Sequence, residues 1–442
     1  MFETERKIIV EAAWIKDSPV IGTLFCNIAR GNQIYSFEFS EQWLEKYSEI
    51  VLDPDLLPYR GRQYLSNSKP IFGIFADCSP DRWGRKLMQR REAIYAREQN
   101  RSIKTLYEID FLLGVHDESR NGAIRFKDDI TKKYYSDESY LSTPPFTSLR
   151  ELQQLSLDFE NNKDPYSRKW IEQLVSPGSS LGGARPKATV KDTDGSLWLA
   201  KFSAKNDEIH ECAWEKVIND LAVLSGLNVT ETKFMKFDDK KGCFLSKRFD
   251  REKEKRIHYS SAMTQLGKVD GETASYLDIA QFIKQNSMFP DRDLKELWSR
   301  IAFNIAVSNT DDHLRNHGFL LKNNRWELSP VFDITPNQYR NEMSLNITED
   351  DNSKSLDLLM KTAKYYNLSL EESKKIAINI FKTVQNNWTS LARKYEIPAS
   401  EIELMNVCFN DRKIIPQKIK TAEIKGKNIF PSLEQKHPGR AD

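Results

Sequence analysis

Residues 308–321 read SNTDDHLRNHGFLL, with adjacent carboxylates at Asp311 and Asp312 and an amide at Asn316, five residues after the first. A third carboxylate, Asp333, follows in SPVFDITPN. Hard oxygen donors in this pattern suit a magnesium ion that keeps several waters and shares phosphate oxygens. The matching chemistry is phosphoryl transfer. It needs a carboxylate to orient or deprotonate an acceptor hydroxyl, oxygen ligands for the metal, and cations against the phosphates. Asp and Asn also gather after helices simply because they tolerate turns. Asp311 and Asn316 alone therefore decide little. Asp333, an upstream lysine strand and a glycine-rich loop together tip the reading toward chemistry.

The upstream groups fit the same reaction. Lys201 ends the strand-like run LWLAKF, where an ammonium can grip the α- and β-phosphates. Glu215, in the helical run that follows, is the expected partner of Lys201, with Glu211 one turn earlier as competitor. The stretch SPGSSLGGARPK, with Gly182 and Gly183, can bring backbone amides close to phosphates. It is not a Walker A loop, because Ala184 stands where the lysine belongs, and it is not GxGxxG. His313 and His317 lie four apart but lack the intervening glutamate of a zinc helix, so His313 is expected to brace the loop by hydrogen bonds. The five cysteines are scattered without a CxxC, which argues against a cysteine zinc site and suits a reducing compartment.

Such groups meet only if the elements around them fold suitably. Residues 1–140 mix strand-like runs (KIIVEAAWI, PVIGTLFCNIA, QIYSFEFS) with one helix, whose start at Ser79-Pro80-Asp81 suggests Pro at the first helical position. Polar residues 128–147 suggest a linker. Residues 165–270 form a sheet lobe with one helix at about 210–225, and Asp-Gly in TDGS marks a hairpin. Residues 271–435 turn helical. There Leu294, Leu297, Trp298, Ile301, Ala302, Ile305 and Ala306 make one apolar stripe, and Ser369 with Glu372 makes a capping box. The expected class is α+β: a two-lobed, protein-kinase-like fold with an extra β-rich N-terminal subdomain.

The bulk of the chain excludes some partners. Its 442 residues carry 66 basic and 64 acidic side chains, so it lacks the basic excess of a general nucleic-acid coat. The N-terminus lacks the apolar core of a signal peptide, and no run is long enough for a membrane helix; a cytoplasmic protein is expected.

Between residues 70 and 337 the chain resembles the HipA-like toxin kinases of bacterial toxin–antitoxin systems. The resemblance rests on IFADCSPDRWGRKLM, SSLGGARPKA, LWLAKF, AWEKVINDLAVLSGL, FLSKRFDR, RIHYSSAM, SYLDIA, FNIAVSNTDDHLRNHGFLL and WELSPVFDITPN, in family order. It implies a serine/threonine kinase using ATP and Mg2+. Asp311 would be the catalytic base, Asn316 and Asp333 the metal ligands, and Lys201 the phosphate-gripping lysine. Lys247 to Phe249 would form the hinge around adenine, with His313 in the nucleotide-binding set. The family's phosphate loop carries an autophosphorylated serine. Ser180 matches it, with Ser179 beside it as the alternative, although GGARPK departs from the best-known toxin's loop at several positions. Phosphate there adds about −1.5 to −2 of charge next to a triphosphate, which opposes ATP binding. The resemblance further implies a helix-turn-helix antitoxin on a separate chain, operator DNA contacted only through it, and an aminoacyl-tRNA synthetase as target. A small-molecule or lipid kinase and a non-catalytic corepressor are the alternatives, because fold does not dictate substrate.

Overall fold

A computed structural model describes residues 5–29, 32–65, 69–138, 143–162, 172, 174, 183 and 185–410. Ser179, Ser180, Gly182 and the stretch beyond residue 410 lie outside the described residues.

The N-terminal module is an antiparallel sheet of β1 (Arg6–Ala12), β2 (Val20–Ala29), β3 (Asn32–Phe39), β4 (Gln63–Tyr64) and β5 (Ile124–Asp128), in the order β4-β3-β2-β1-β5. Side chains alternate between faces along each strand, so Ile8 and Val10, Leu24 and Phe37 fall inside together. Helix Arg82–Glu98 leaves this module with Trp83, Leu87, Met88 and Ile94 on its buried stripe. Its N-cap is Asp81, not Ser79, and Pro80 lies outside the helix. The reason is local: the Asp81 carboxylate accepts from Gly84 N at 2.9 Å, and its backbone is already extended.

The expected linker at 128–147 is in fact folded back where it is described. Tyr134 bridges to Lys127 and donates its hydroxyl to Glu11 at 2.7 Å, while Tyr135 donates to Asp128 at 2.7 Å. Two phenols beside free acceptors on the sheet outweigh the polar composition.

The middle lobe is a sheet of β6 (Lys187–Lys191), β7 (Leu197–Phe202), β8 (Thr232–Lys236) and β9 (Gly242–Lys247), in the order β6-β7-β9-β8. Period-two alternation divides its faces. Ala188, Val190, Trp198, Ala200, Phe202, Cys243 and Leu245 join the core under helices Arg82–Glu98 and Leu149–Glu160. Lys187, Lys201 and Phe244 are partners in register on the alternate set of positions. Helix Glu211–Leu224 buries Trp214, Val217, Ile218 and Leu221 against the rest of the chain.

Beyond the two-residue strands β10 (Arg251–Glu252) and β11 (Lys255–Arg256) comes a second small sheet, β12 (His258–Ser261), β13 (Gly318–Lys322) and β14 (Arg325–Leu328). Helices Tyr276–Asn286, Pro290–Val307, Leu356–Thr362, Leu370–Lys394 and Ala399–Phe409 complete the C-terminal lobe. The expected stripe on Pro290–Val307 is buried throughout, and Ser369 caps Leu370–Lys394 with Glu372 reciprocating. Among the described residues no helix is long and apolar enough to cross a membrane, and all five cysteines are free and buried.

Candidate active site

Helix Pro290–Val307 stops where Ser308 adopts the left-handed conformation, φ 55°. The chain then crosses the lobe as an open loop before β13, and this loop carries the first two carboxylates. It is braced from behind by Asp312. That buried carboxylate accepts from Tyr276 Oη at 2.6 Å, Asn304 Nδ2 at 2.8 Å and His317 Nε2 at 2.8 Å. Burial pushes its carboxyl up, but His317, the Tyr276 hydroxyl and nearby His313 outweigh this and hold it below the ordinary range. Asp311, the adjacent residue, is 65% exposed, and among the described residues its carboxylate meets only Arg340, at 3.2 Å. An ion pair so exposed is weak and screened by salt, and it leaves the Asp311 carboxylate open to solvent.

Asn316 closes the same loop. Its Nδ2 donates to the Asp311 carbonyl at 3.1 Å, while its Oδ1 is buried with no hydrogen-bond partner. It lines a small cavity with Phe332, next in chain to Asp333. β13 and β14 pair as the spacing requires, and the chain leaving them puts Asp333 at φ 57°. Left-handed backbone is uncommon in a non-glycine residue, although Asp is among those that tolerate it.

Lys201 gathers the rest. Its Nζ lies 2.5 Å from Glu215 Oε1 and 2.6 Å from Asp333 Oδ1. Glu215, not Glu211, is therefore its partner. Burial lowers the lysine's proton affinity, but Asp333 and Glu215 reverse this and keep it charged. Burial opposes the charge of Asp333 as well, yet Lys201 brings its carboxyl down to about 2. A depressed carboxylate stabilises the fold above its unfolded pKa of about 4, and that contribution is lost as pH falls toward about 2. In urea melts, wild type is expected to exceed Asp333→Asn by roughly 2 kcal/mol at pH 6, with the gap closing below pH ~4. A gap independent of pH would contradict this linkage.

A narrow cleft opens beside this group, lined by Leu199, Phe244, Ser246, Phe249, Phe332 and Asp333 among others. Phe249 and Phe332 lie 5.5 Å apart, an apolar wall suited to a flat ring. Both backbone groups of Lys247 are occupied, its N–H by Glu231 O and its carbonyl by Thr230 Oγ1. The next residue is anchored hard. Arg248 holds Asp250 at 2.7 and 2.5 Å and donates to the carbonyls of Ser119 and Arg120. Asp250 in turn accepts from Gly122 N at 2.7 Å, so the N-terminal module grips this segment.

His313 does not brace the loop by its ring: Nδ1 is buried without a partner, and His317 has that role. The ring of His317 is reached because it sits one residue before β13, facing Asp312. Gly183 is described and has φ 86°, where a side chain would be strained. Glu401, which the sequence reading passed over, accepts from His210 N, His210 Nδ1 and Trp214 Nε1 at 2.8, 2.7 and 2.6 Å. It thereby pins the start of the helix that carries Glu215. No local signal marks it, since it lies in the last described helix.

A magnesium ion fits the residues present. Asn316 Oδ1 is a buried oxygen lacking a donor, Asp333 is an ionised carboxylate, and magnesium takes few protein ligands beside waters and phosphates. Among the described residues no cluster of three His, Cys, Asp or Glu offers a protein-only metal cage.

Comparisons with known proteins bear on the family. The family model described as HipA-like C-terminal domain matches residues 179–403, half of the chain. A Haemophilus influenzae protein named "Putative kinase" is 28% identical over 207 residues, 39% of this chain and 58% of that protein. The match thus spans less than two thirds of that relative's length. Among solved structures, HipA in a complex with HipB and operator DNA from Shewanella oneidensis MR-1 superposes with a TM-score of 0.60. That likeness covers 91% of this chain and 96% of the other at 15% identity, and it speaks for the fold. The Helicobacter pylori kinase CtkA aligns at a TM-score of 0.42 and 17% identity, over 55% of this chain and 93% of its own. With half its length matched and its kinase-like architecture shared from the N-terminal sheet to the last helices, the chain belongs to the family of the HipA-like C-terminal domain.

Proposed function

We propose that this protein is an ATP- and Mg2+-dependent serine/threonine protein kinase, the cytoplasmic toxin of a bacterial toxin–antitoxin system. The observation that carries the reading is the meeting of Lys201, Glu215 and Asp333 on the cleft wall, with the unpartnered Asn316 oxygen on the neighbouring loop. In this reading adenine lies against Phe249 and Phe332, and Lys201 holds the α- and β-phosphates. Asp333 and Asn316 would hold magnesium, which when bound neutralises phosphate charge. Asp311 orients the acceptor hydroxyl and takes its proton. Asp312 and His317 keep the loop in place while this happens. Positioning and electrostatics are most of what phosphoryl transfer asks of a protein.

The regulatory and biological parts of the proposal rest on the family. Ser180, or Ser179, would be autophosphorylated. A helix-turn-helix antitoxin on a separate chain would bind it, as HipB accompanies the Shewanella HipA, and would carry it to operator DNA. An aminoacyl-tRNA synthetase is the proposed target.

The test is direct. Purified protein with labelled ATP and Mg2+, alone and with a bacterial lysate, is expected to label itself and one dominant protein on serine or threonine. Labelling that vanishes with EDTA supports the reading. ATP binding without any protein labelling would favour a small-molecule or lipid kinase, and absence of ATP binding would sink the enzyme reading altogether.

A further inference from the structure

Lys187 opens β6 and stands directly opposite Lys201 in the β6–β7 register. Residues paired in this way project to the same face of a sheet, and like charges so placed repel. Both are also withdrawn from water: Lys187 is 1% exposed and Lys201 6%. A site that required only packing would hold apolar side chains here, because a buried ion pair is often no more stable than hydrophobic residues of similar volume. Instead three carboxylates are gathered to sustain the two charges. Glu215 and Asp333 face Lys201, and Asp81 lies 2.7 Å from Lys187 Nζ.

Asp81 belongs to the N-terminal module. One of its oxygens caps helix Arg82–Glu98 and the other turns to the lysine. Two residues on, the Trp83 indole donates to the Lys187 carbonyl at 3.2 Å, so the first turn of the helix grips both the backbone and the side chain of Lys187. Gly84 permits this tight start, since a Cβ there would lie 2.8 Å from Pro80 Cβ. The lysine also reaches the glycine-rich loop: a Cβ built on Gly183 would lie 3.7 Å from Nζ. Its charge acts on Asp333 too, among the groups that favour the ionised carboxylate.

We propose that Lys187, held by Asp81 and Trp83, is a positioning residue of the nucleotide site, a second buried positive charge beside the glycine-rich loop through which the N-terminal module sets affinity for the triphosphate. The proposal deepens the kinase reading and rests on it. It acts through charge, so it should distinguish ATP from a ligand without phosphates.

Calorimetry on the full chain, with Mg·ATP and separately with adenosine, tests it. The double variant Asp81→Asn/Lys187→Gln replaces the ion pair by an amide pair of similar size. It is expected to lose roughly 10-fold in ATP affinity while adenosine changes by less than about twofold, and Lys187→Arg is expected to recover ATP binding. Should the double variant fail to fold in a thermal melt, Lys187→Gln alone gives the same comparison. ATP affinity unchanged, or ATP and adenosine weakened alike, would overturn the role assigned to Lys187. Failure of the wild-type protein to bind ATP would instead overturn the kinase reading beneath it.

Discussion

Replacement of Asp311 by Asn is expected to lower phosphoryl transfer by ~10²–10⁴-fold, the usual contribution of a positioned base. Stability should hardly change. The Asp311 side chain is 65% exposed, and its one partner, Arg340, is 58% exposed, so little packing is lost. ATP affinity should also survive, because Asp311 does not line the cleft around Lys201. The measurement is single-turnover labelling beside a denaturation curve and a nucleotide titration. An Asp311→Asn protein that labels its target at the wild-type rate would remove this residue from the chemistry and, with it, the role given to the loop.

The neighbouring aspartate should behave in the opposite way. Asp312→Ala strands the Tyr276 hydroxyl, the Asn304 amide and the His317 ring, which all point at one carboxylate oxygen inside the lobe. Each buried donor left without an acceptor costs about 1–3 kcal/mol, and three share this one carboxylate oxygen; a total of ~3–5 kcal/mol is expected. Urea unfolding should show it as a lower midpoint with an unchanged slope. Activity would fall as well, but as a consequence of a loosened loop, with ATP binding reduced in step with the folded fraction. A midpoint within experimental error of wild type would show that the three donors find other acceptors, and that the brace is weaker than its geometry suggests. Two adjacent residues of the same type thus separate catalysis from stability.

Much of this fold was legible in advance because the signals were local. The apolar stripe on Pro290–Val307, the Ser369 capping box and the Asp-Gly hairpin each depend on residues within one or two turns, and each lies where the sequence put it. The same holds for the pairing of β13 with β14, which brings Asp333 back toward the loop. Two local readings failed because a neighbour in space outweighed composition. Tyr134 and Tyr135 find acceptors on the N-terminal sheet and draw in a stretch that reads as a linker. Asp81, which caps the helix in place of Ser79 through Gly84 N, also has its second oxygen drawn to Lys187 across the molecule.

By itself, then, the sequence determined the order of the lobes and the residue types of the site: a carboxylate and an amide five apart, a later carboxylate, a strand lysine and a helix glutamate. These follow from periodicity and spacing, which are properties of a chain read along its length. Only the tertiary structure decided which aspartate is buried and which exposed, which glutamate meets Lys201, which histidine braces the loop, and that Glu401 and Asp81 hold the site from opposite ends of the chain. Those outcomes depend on burial and on partners as many as 191 residues away, and the charge state and worth of an ionisable side chain are set by that surrounding, not by its neighbours in sequence.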